Sequence, residues 1–316
     1  MGAKRPTSMR IKSSQSIGLA LFLASAVCCF AADAVPGVPV SVLITVEAKA
    51  GHAAELNKDN IKVKEGKDLR PIADLKHLDP ASSQMLLLID DSAGGSFDTN
   101  ISEVKNFVTA LPAGVEVGIG YMHNGTSSMV SPFTQDHAKA ASTIRLPEGP
   151  GGADVSPYDS LTDAIKKWPV KEGVERREVV MISSGIEGLG GGMAPENPYV
   201  NAGIAAAQKA GVVVYAIYNP SFGHAGHSLW RASYAQNFLS QLADETGGEL
   251  YLTGFGSSVD FQPYFSDILA RQNDQYVISF DAGPEKKSGL QQVKITAATK
   301  GISIAAPDMV YVKASL

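Results

Sequence analysis

Residues 85–89, Met-Leu-Leu-Leu-Ile, form an unbroken apolar run that leads straight into Asp90, Asp91 and Ser92 and then into Gly94 and Gly95. Such a run does not suit a strand with one wet face. It fits a strand buried on both sides, in a parallel sheet covered by helices. The covering helix follows at once. Asn100 and Glu103 have capping-box spacing, and Ile101, Val104, Phe107, Val108 and Leu111 make one apolar stripe. The polar residues therefore fall at the carboxyl end of a central strand, where open α/β sheets place their ligand crevices.

The same alternation continues from Gln84 to Arg271. Strands are expected at Val115–Tyr121, Met129–Phe133, Glu178–Ser183, Val212–Tyr218 and Glu249–Leu252. Helices are expected over 136–144, after a Ser156 N-cap with Pro157 in the first turn, over 201–210 up to Gly211, over 229–245 up to Gly247-Gly248, and over 262–271. This pattern predicts a doubly wound, mostly parallel α/β sheet. On either side the period changes to two. Val40, Val42, Ile44 and Val46 alternate with other residues, as does Ile61 to Gly66, with a further strand near Leu69–Leu75. Tyr276, Ile278 and Phe280, then Val293 and Ile295, Ile302 and Ile304, and Met309–Val312 do the same near the carboxyl terminus. Each of these segments has one apolar face in need of cover, so the two are expected to pair into a small β-sandwich. The division is 1–34, 35–82 (β), 83–271 (α/β) and 272–316 (β).

Lys4, Arg5, Arg10 and Lys12 precede an apolar stretch from Ile17 to Phe30 that ends in small residues through Ala34. That is the layout of a secretory signal peptide, and the stretch is shorter than the ~20 residues of a membrane span. Residues 1–34 are therefore read as a signal peptide, and the protein as secreted or periplasmic with no membrane span after its removal. Cys28 and Cys29 both lie in that segment, so the remainder has no thiol for disulfides, thiolate–metal sites or cysteine nucleophiles. Without residues 1–34, 23 basic residues stand against 31 acidic ones. An acidic chain with no basic cluster argues against nucleic acid as a partner.

Several chemistries fail at the Asp90 turn. Phosphoryl-receiver chemistry needs a later strand-end Asp and a Lys. Tyr121-Met122-His123, Ile182-Ser183-Ser184 and Tyr218-Asn219-Pro220 supply neither. Dinucleotide binding would need a G-x-G-x-x-G turn, and a carboxylate repels phosphate. Serine catalysis has no G-x-S-x-G elbow. Trp168 and Trp230 sit at helical spacing and read as core.

Three motifs resemble those of the von Willebrand factor A family. Leu-Leu-Ile-Asp90-Asp91-Ser92-Ala93-Gly94 resembles its D-x-S-x-S metal loop, Val179 to Glu187 resembles its strand followed by T-D-G-E, and Thr246-Gly247-Gly248 is similar to its T-G-G turn. The outer segments, Asn60 to Lys67 and Gln275 to Phe280, look like the flanks of bacterial, acidobacterial-type members. The resemblance implies a metal-ion-dependent adhesion site, in which hard oxygens hold Mg²⁺ and a partner's carboxylate completes the shell. Asp90 and Ser92 match its first two ligands, and Ser156 is the counterpart of its threonine. Gly94 lacks the second serine's oxygen and Ser184 replaces the aspartate, so the site is expected to be degenerate. No cofactor is expected, with weak Mg²⁺ binding as the exception. The resemblance further implies a non-enzymatic module that binds a protein or other macromolecule through the loops at the carboxyl end of the sheet. Asp91, Ser96, Ser184 and Glu187 are expected to form a negative rim facing a basic partner. A magnesium-dependent adhesion protein, a structural envelope protein and an enzyme on the same sheet remain the alternatives.

Overall fold

The computed structural model describes residues 37–48, 56–79, 82–92, 95–149, 156–187, 196–219, 229–252 and 260–315. The expected signal peptide lies outside the described residues. The chain begins with β1 (Val38–Ala48), β2 (Ile61–Glu65), β3 (Asp68–Arg70) and β4 (Ile72–His77). The α/β part then runs β5 (Ser83–Asp90), α1 (Ile101–Ala110), β6 (Glu116–His123), β7 (Thr126–Thr134), α2 (His137–Ser142) and α3 (Pro157–Lys166). It continues with β8 (Arg176–Ser183), α4 (Pro198–Ala210), β9 (Val212–Tyr218), α5 (Leu229–Thr246), β10 (Leu250–Leu252) and α6 (Gln262–Asn273). Strands β11 (Gln275–Ala282), β12 (Gly289–Ala297), β13 (Ile302–Ala305) and β14 (Met309–Val312) complete it.

The central sheet has the order β10-β9-β8-β5-β6-β7. Its central strand β5 pairs in parallel with both β6 and β8, and every residue from Ser83 to Asp90 is buried. Alternate side chains serve opposite faces. Met85, Leu87 and Ile89 pack with α1, α2 and α6, whereas Leu86 and Leu88 pack with α3, α4 and α5. The layers are those of a doubly wound α/β sandwich, as expected from the sequence.

Three local expectations are corrected. The edge strand β7 is longer than Met129–Phe133 and runs antiparallel to β6. The reason is a two-residue hairpin turn at Asn124-Gly125, with φ of 49° and 72°, a left-handed conformation that Asn and Gly tolerate best. The strand expected at Leu69–Leu75 is two strands, split at Pro71, that belong to different sheets. The capping box at the start of α1 does not form. Asn100 makes no cap bond to the helix backbone; its Nδ2 donates to Glu103 Oε2 at 3.1 Å, and that oxygen also accepts the Phe261 N–H, 2.7 Å away, at the start of α6.

The two β segments form a sandwich of two antiparallel sheets, β13-β1-β11-β4 and β14-β12-β2-β3. Its core contains Val40, Val42, Ile44, Val63, Ile278, Phe280, Val293 and Val312. The sandwich shares material with the α/β part, since Leu43 and the partly buried Val277 belong to the core under β5. Both parts fall in one unit, Pro36–Leu316.

Candidate functional site

Strand β5 delivers Asp90 to the carboxyl end of the sheet, where the chain turns. The Asp90 carboxylate is buried and satisfied within the protein. Its Oδ1 accepts the Ser92 N–H at 3.0 Å and the Ser92 hydroxyl at 2.6 Å, and its Oδ2 accepts the Ser183 hydroxyl at 2.8 Å. Burial pushes its pKa above the ordinary carboxylate value, and the hydrogen bonds from Ser92 and Ser183 oppose that rise without cancelling it.

Ser156 caps α3, its Oγ accepting the Asp159 N–H at 3.1 Å. The same hydroxyl donates to Glu187 Oε2 at 2.5 Å. Asp90, Ser92 and Ser156, the three residues matched to the metal site, thus line one small cavity together with Met122, His123 and Ser160. Its volume is about 10 Å³, room for roughly one water molecule.

A magnesium ion takes six oxygens in an octahedron, usually with carboxylate help. Here one carboxylate faces the cavity, and both of its oxygens already accept protein donors. The Ser156 Oγ already accepts the Asp159 N–H while donating to Glu187. No cluster of three or more His, Cys, Asp or Glu that could hold a metal occurs among the described residues. These residues do not fit a divalent cation. Gly94, the other departure from the family pattern, lies outside the described residues.

The rim residues are placed differently from the sequence expectation. Asp91 points away from the cavity and is buried against Arg145. The guanidinium Nη1 and Nη2 meet its two carboxylate oxygens at 2.8 and 2.9 Å, and the Glu148 N–H donates to Oδ1 at 2.8 Å. Burial raises the Asp91 pKa, but the Arg145 hydrogen bonds and charge outweigh it and hold the carboxyl below its usual range. Arg145 also lies over the Tyr121 ring, 4.0 Å from its centroid. Ser184 and Glu187 are buried as well, and the Ser96 side chain lies outside the described residues. Of the residues expected at the rim, Asp91 is paired with Arg145, Glu187 accepts from Ser156, and Ser184 is buried.

What the sequence reading missed at this end is apolar. Leu229 and Trp230 open α5, and the two residues are 77% and 74% exposed. Trp168 is partly buried, donates its indole N–H to Gln84 Oε1 at 2.8 Å and packs on Phe133. The core assignment therefore fits Trp168 and fails for Trp230. Helical spacing cannot distinguish them, because the buried stripe of α5 begins only at Ala235.

The other two motifs have structural explanations. Gly185 has φ of 66°, and a Cβ there would meet Leu239 at 2.6 Å. Thr246 is buried, its Oγ1 accepting the Val214 N–H, and a Cβ on Gly248 would lie 2.0 Å from the Val214 carbonyl oxygen. The T-G-G turn lets α5 end directly against β9.

No family model and no curated protein matches the chain. Solved structures do. An aerotolerance-related membrane protein from Bacteroides fragilis is similar at 14% identity with a TM-score of 0.43, over 60% of this chain and 98% of its own. A von Willebrand factor type A protein from Catenulispora acidiphila is similar at 12% identity with a TM-score of 0.43, over 90% of this chain and 75% of its own. Proximal thread matrix protein 1 from the mussel byssus, described with a zinc-occupied metal-ion-dependent adhesion site, is similar at 14% identity with a TM-score of 0.42, over 62% of this chain and 46% of its own. On its own strand order, and with the Asp-x-Ser turn after β5, the Ser-Gly turn after β8 and the T-G-G turn before β10 in sequence, the chain has an α/β fold of the von Willebrand factor A type.

Proposed function

We propose that this protein is an exported, non-enzymatic interaction module that binds a macromolecular partner at the carboxyl end of its sheet without a bridging metal. The observation that carries the reading is the exposed Leu229-Trp230 pair at the start of α5. A helix that follows a parallel strand begins at that strand's carboxyl end, so the pair stands on the same side of the sheet as the Asp90 turn. Large exposed aromatics are the side chains that most often anchor protein interfaces. The carboxylates nearby are held internally, so Asp90, Ser92 and Ser156 act as a brace for the loops. Export rests on the amino-terminal charge and hydropathy pattern, and no helix among the described residues is long and apolar enough to cross a membrane. A magnesium-dependent adhesion mechanism is disfavoured by the single carboxylate, Asp90, that lines the cavity. The fold does not fix the function, so the test addresses the surface. Tagged protein is used to capture partners from its native envelope, with and without EDTA. The expected partner stays bound in EDTA and is lost, at least tenfold, in Trp230→Ala with unchanged circular dichroism. Millimolar Mg²⁺ should leave the melting temperature unchanged, whereas a cation at ~100 times its Kd would add ~2.7 kcal/mol. Release by EDTA, or capture indifferent to Trp230, sinks the proposal.

A further inference from the structure

At the amino end of the parallel sheet, opposite the Asp90 turn, a cleft of about 470 Å³ separates the α/β part from the sandwich. That is within the size range of ligand sites, which favour such junctions. Two strands supply part of its walls, and the end of α4 with the starts of β8 and β9 supply most of the rest. Residues 39–43 of β1 line it consecutively, as do Met309, Val310 and Tyr311 of β14. Side chains of a strand alternate between faces, so a wall of consecutive residues presents the strand's edge, with its backbone N–H and C=O groups. The pairing agrees. On one side β1 is matched to β11 from Val38 to Thr45, but on the other β13 reaches only Thr45 to Ala48. Among the described residues, β1 from Val38 to Ile44 has no strand on that second side. The neighbouring edge belongs to β14, the outer strand of the second sheet.

The two faces of β1 differ beside this gap. Val40 and Val42 point into the sandwich core, and Leu43 points into the α/β core. On the α/β side stand Arg177 and Lys209. Arg177 bonds the Ala210 carbonyl at 3.4 Å, and its buried Nε has no partner. Lys209 stands 5.2 Å from the Tyr311 ring centroid. Neither has an acidic partner among the described residues. The one carboxylate in the wall, Glu175, is held by Lys76 at 2.6 Å. A strand laid beside β1 would thus set one face on valines and the other toward two cations.

We propose that this cleft binds an extended acidic peptide by strand addition to β1, with apolar side chains alternating with carboxylates that face Arg177 and Lys209. Main-chain pairing supplies affinity in such a mode, and alternate side chains supply specificity. Pro39 has no N–H and sets one end of the usable edge. The site is independent of the carboxyl-end surface.

The probe is fluorescein-labelled acetyl-Val-Glu-Val-Glu-Val-amide, followed by anisotropy against the whole protein. Saturable binding is expected, weakened at least about tenfold in three cases: lysine in place of glutamate, N-methylation of alternate peptide amides, and the protein variant Lys209→Glu with Arg177→Glu. Should the double variant misfold, Lys209→Glu alone, at an exposed position, gives the charge test. Hydrogen exchange should slow within residues 38–44 when the probe binds. No saturation at about 1 mM probe, equal binding of the lysine or N-methylated probe, or protection elsewhere overturns the proposal. Binding that appears only once residues 1–36 are removed assigns the cleft to the chain's own amino-terminal segment and equally overturns it.

Discussion

Asp90 and Asp91 are neighbours in the sequence, yet their pKa values move in opposite directions. Asp90 faces the serine-lined cavity, where burial dominates and its carboxyl titrates high. Asp91 faces Arg145, and its carboxyl titrates low. A lowered folded-state pKa stabilises the fold above the unfolded value of ~3.9, and that stabilisation is lost as pH falls through the folded value. Asp90 has the opposite sign: its raised pKa makes ionisation cost stability as pH rises. Asp91→Asn should therefore lower stability at pH 7 by about 2 kcal/mol, the scale of charge-assisted hydrogen bonds. The figure stays below the ~3–5 kcal/mol of a fully buried pair, because the Arg145 side chain is 35% exposed. The wild-type advantage should be constant above about pH 5 and shrink below about pH 4. Urea unfolding at pH 7 and pH 3 measures it, and an advantage that grows on acidification contradicts the pairing.

Among the elements, the joint between the α/β sheet and the sandwich carries a buried polar network. Glu178 on β8 is fully buried, accepting from Gln275 Nε2 and Gln272 Nε2 at 2.7 Å each and from the Tyr215 hydroxyl at 3.3 Å. Arg176 reaches the Gln272 carbonyl at 2.9 Å and the Gln275 side chain, with its Nε 4.0 Å from Glu178. Replacing Glu178 with Gln sets an amide against amide donors and leaves Arg176 uncompensated. The expected loss is about 3–5 kcal/mol, read from the urea midpoint at unchanged m-value; a loss under about 1 kcal/mol rejects this account. None of this joint was legible in the sequence, because it assembles residues from β8, β9, α6 and β11. What the sequence does expose is local. The apolar run of β5, the Ser156-Pro157 start of α3 and the Gly211 stop of α4 each follow from a few adjacent residues. The Asn124-Gly125 hairpin was equally local and went unread. The site divides the same way. Asp90, Ser92 and Ser156 were readable as strand-end and helix-cap residues, whereas Arg145 opposite Asp91 depends on how the segment after α2 returns.

At the scale of the whole molecule, the sandwich is built from the two ends of the described chain. Among the described residues, β1 pairs only with β11 and β13, β4 pairs only with β11, and β2 depends on β12 for one of its two neighbours. Removing residues 275–316 would leave β1 with no strand partner and β2 with only the three-residue β3. The loss does not stop at the sandwich. Gln275 bonds Glu178 under the α/β sheet, and the core around Leu43 also includes Val277 on β11. The truncated chain would expose Val40, Val42, Ile44 and Val46 as an apolar strand with unpaired edges, the situation that drives edge-to-edge association. A shortened protein should therefore aggregate or elute as large oligomers in size exclusion, with a lower melting transition for any soluble fraction. Adding 275–316 back as a separate chain should restore solubility in part, since the missing strands re-form the ladder without a covalent link. A truncated protein that is monomeric, with unchanged β-sheet circular dichroism and melting temperature, would show that the α/β part does not depend on the strands that flank it.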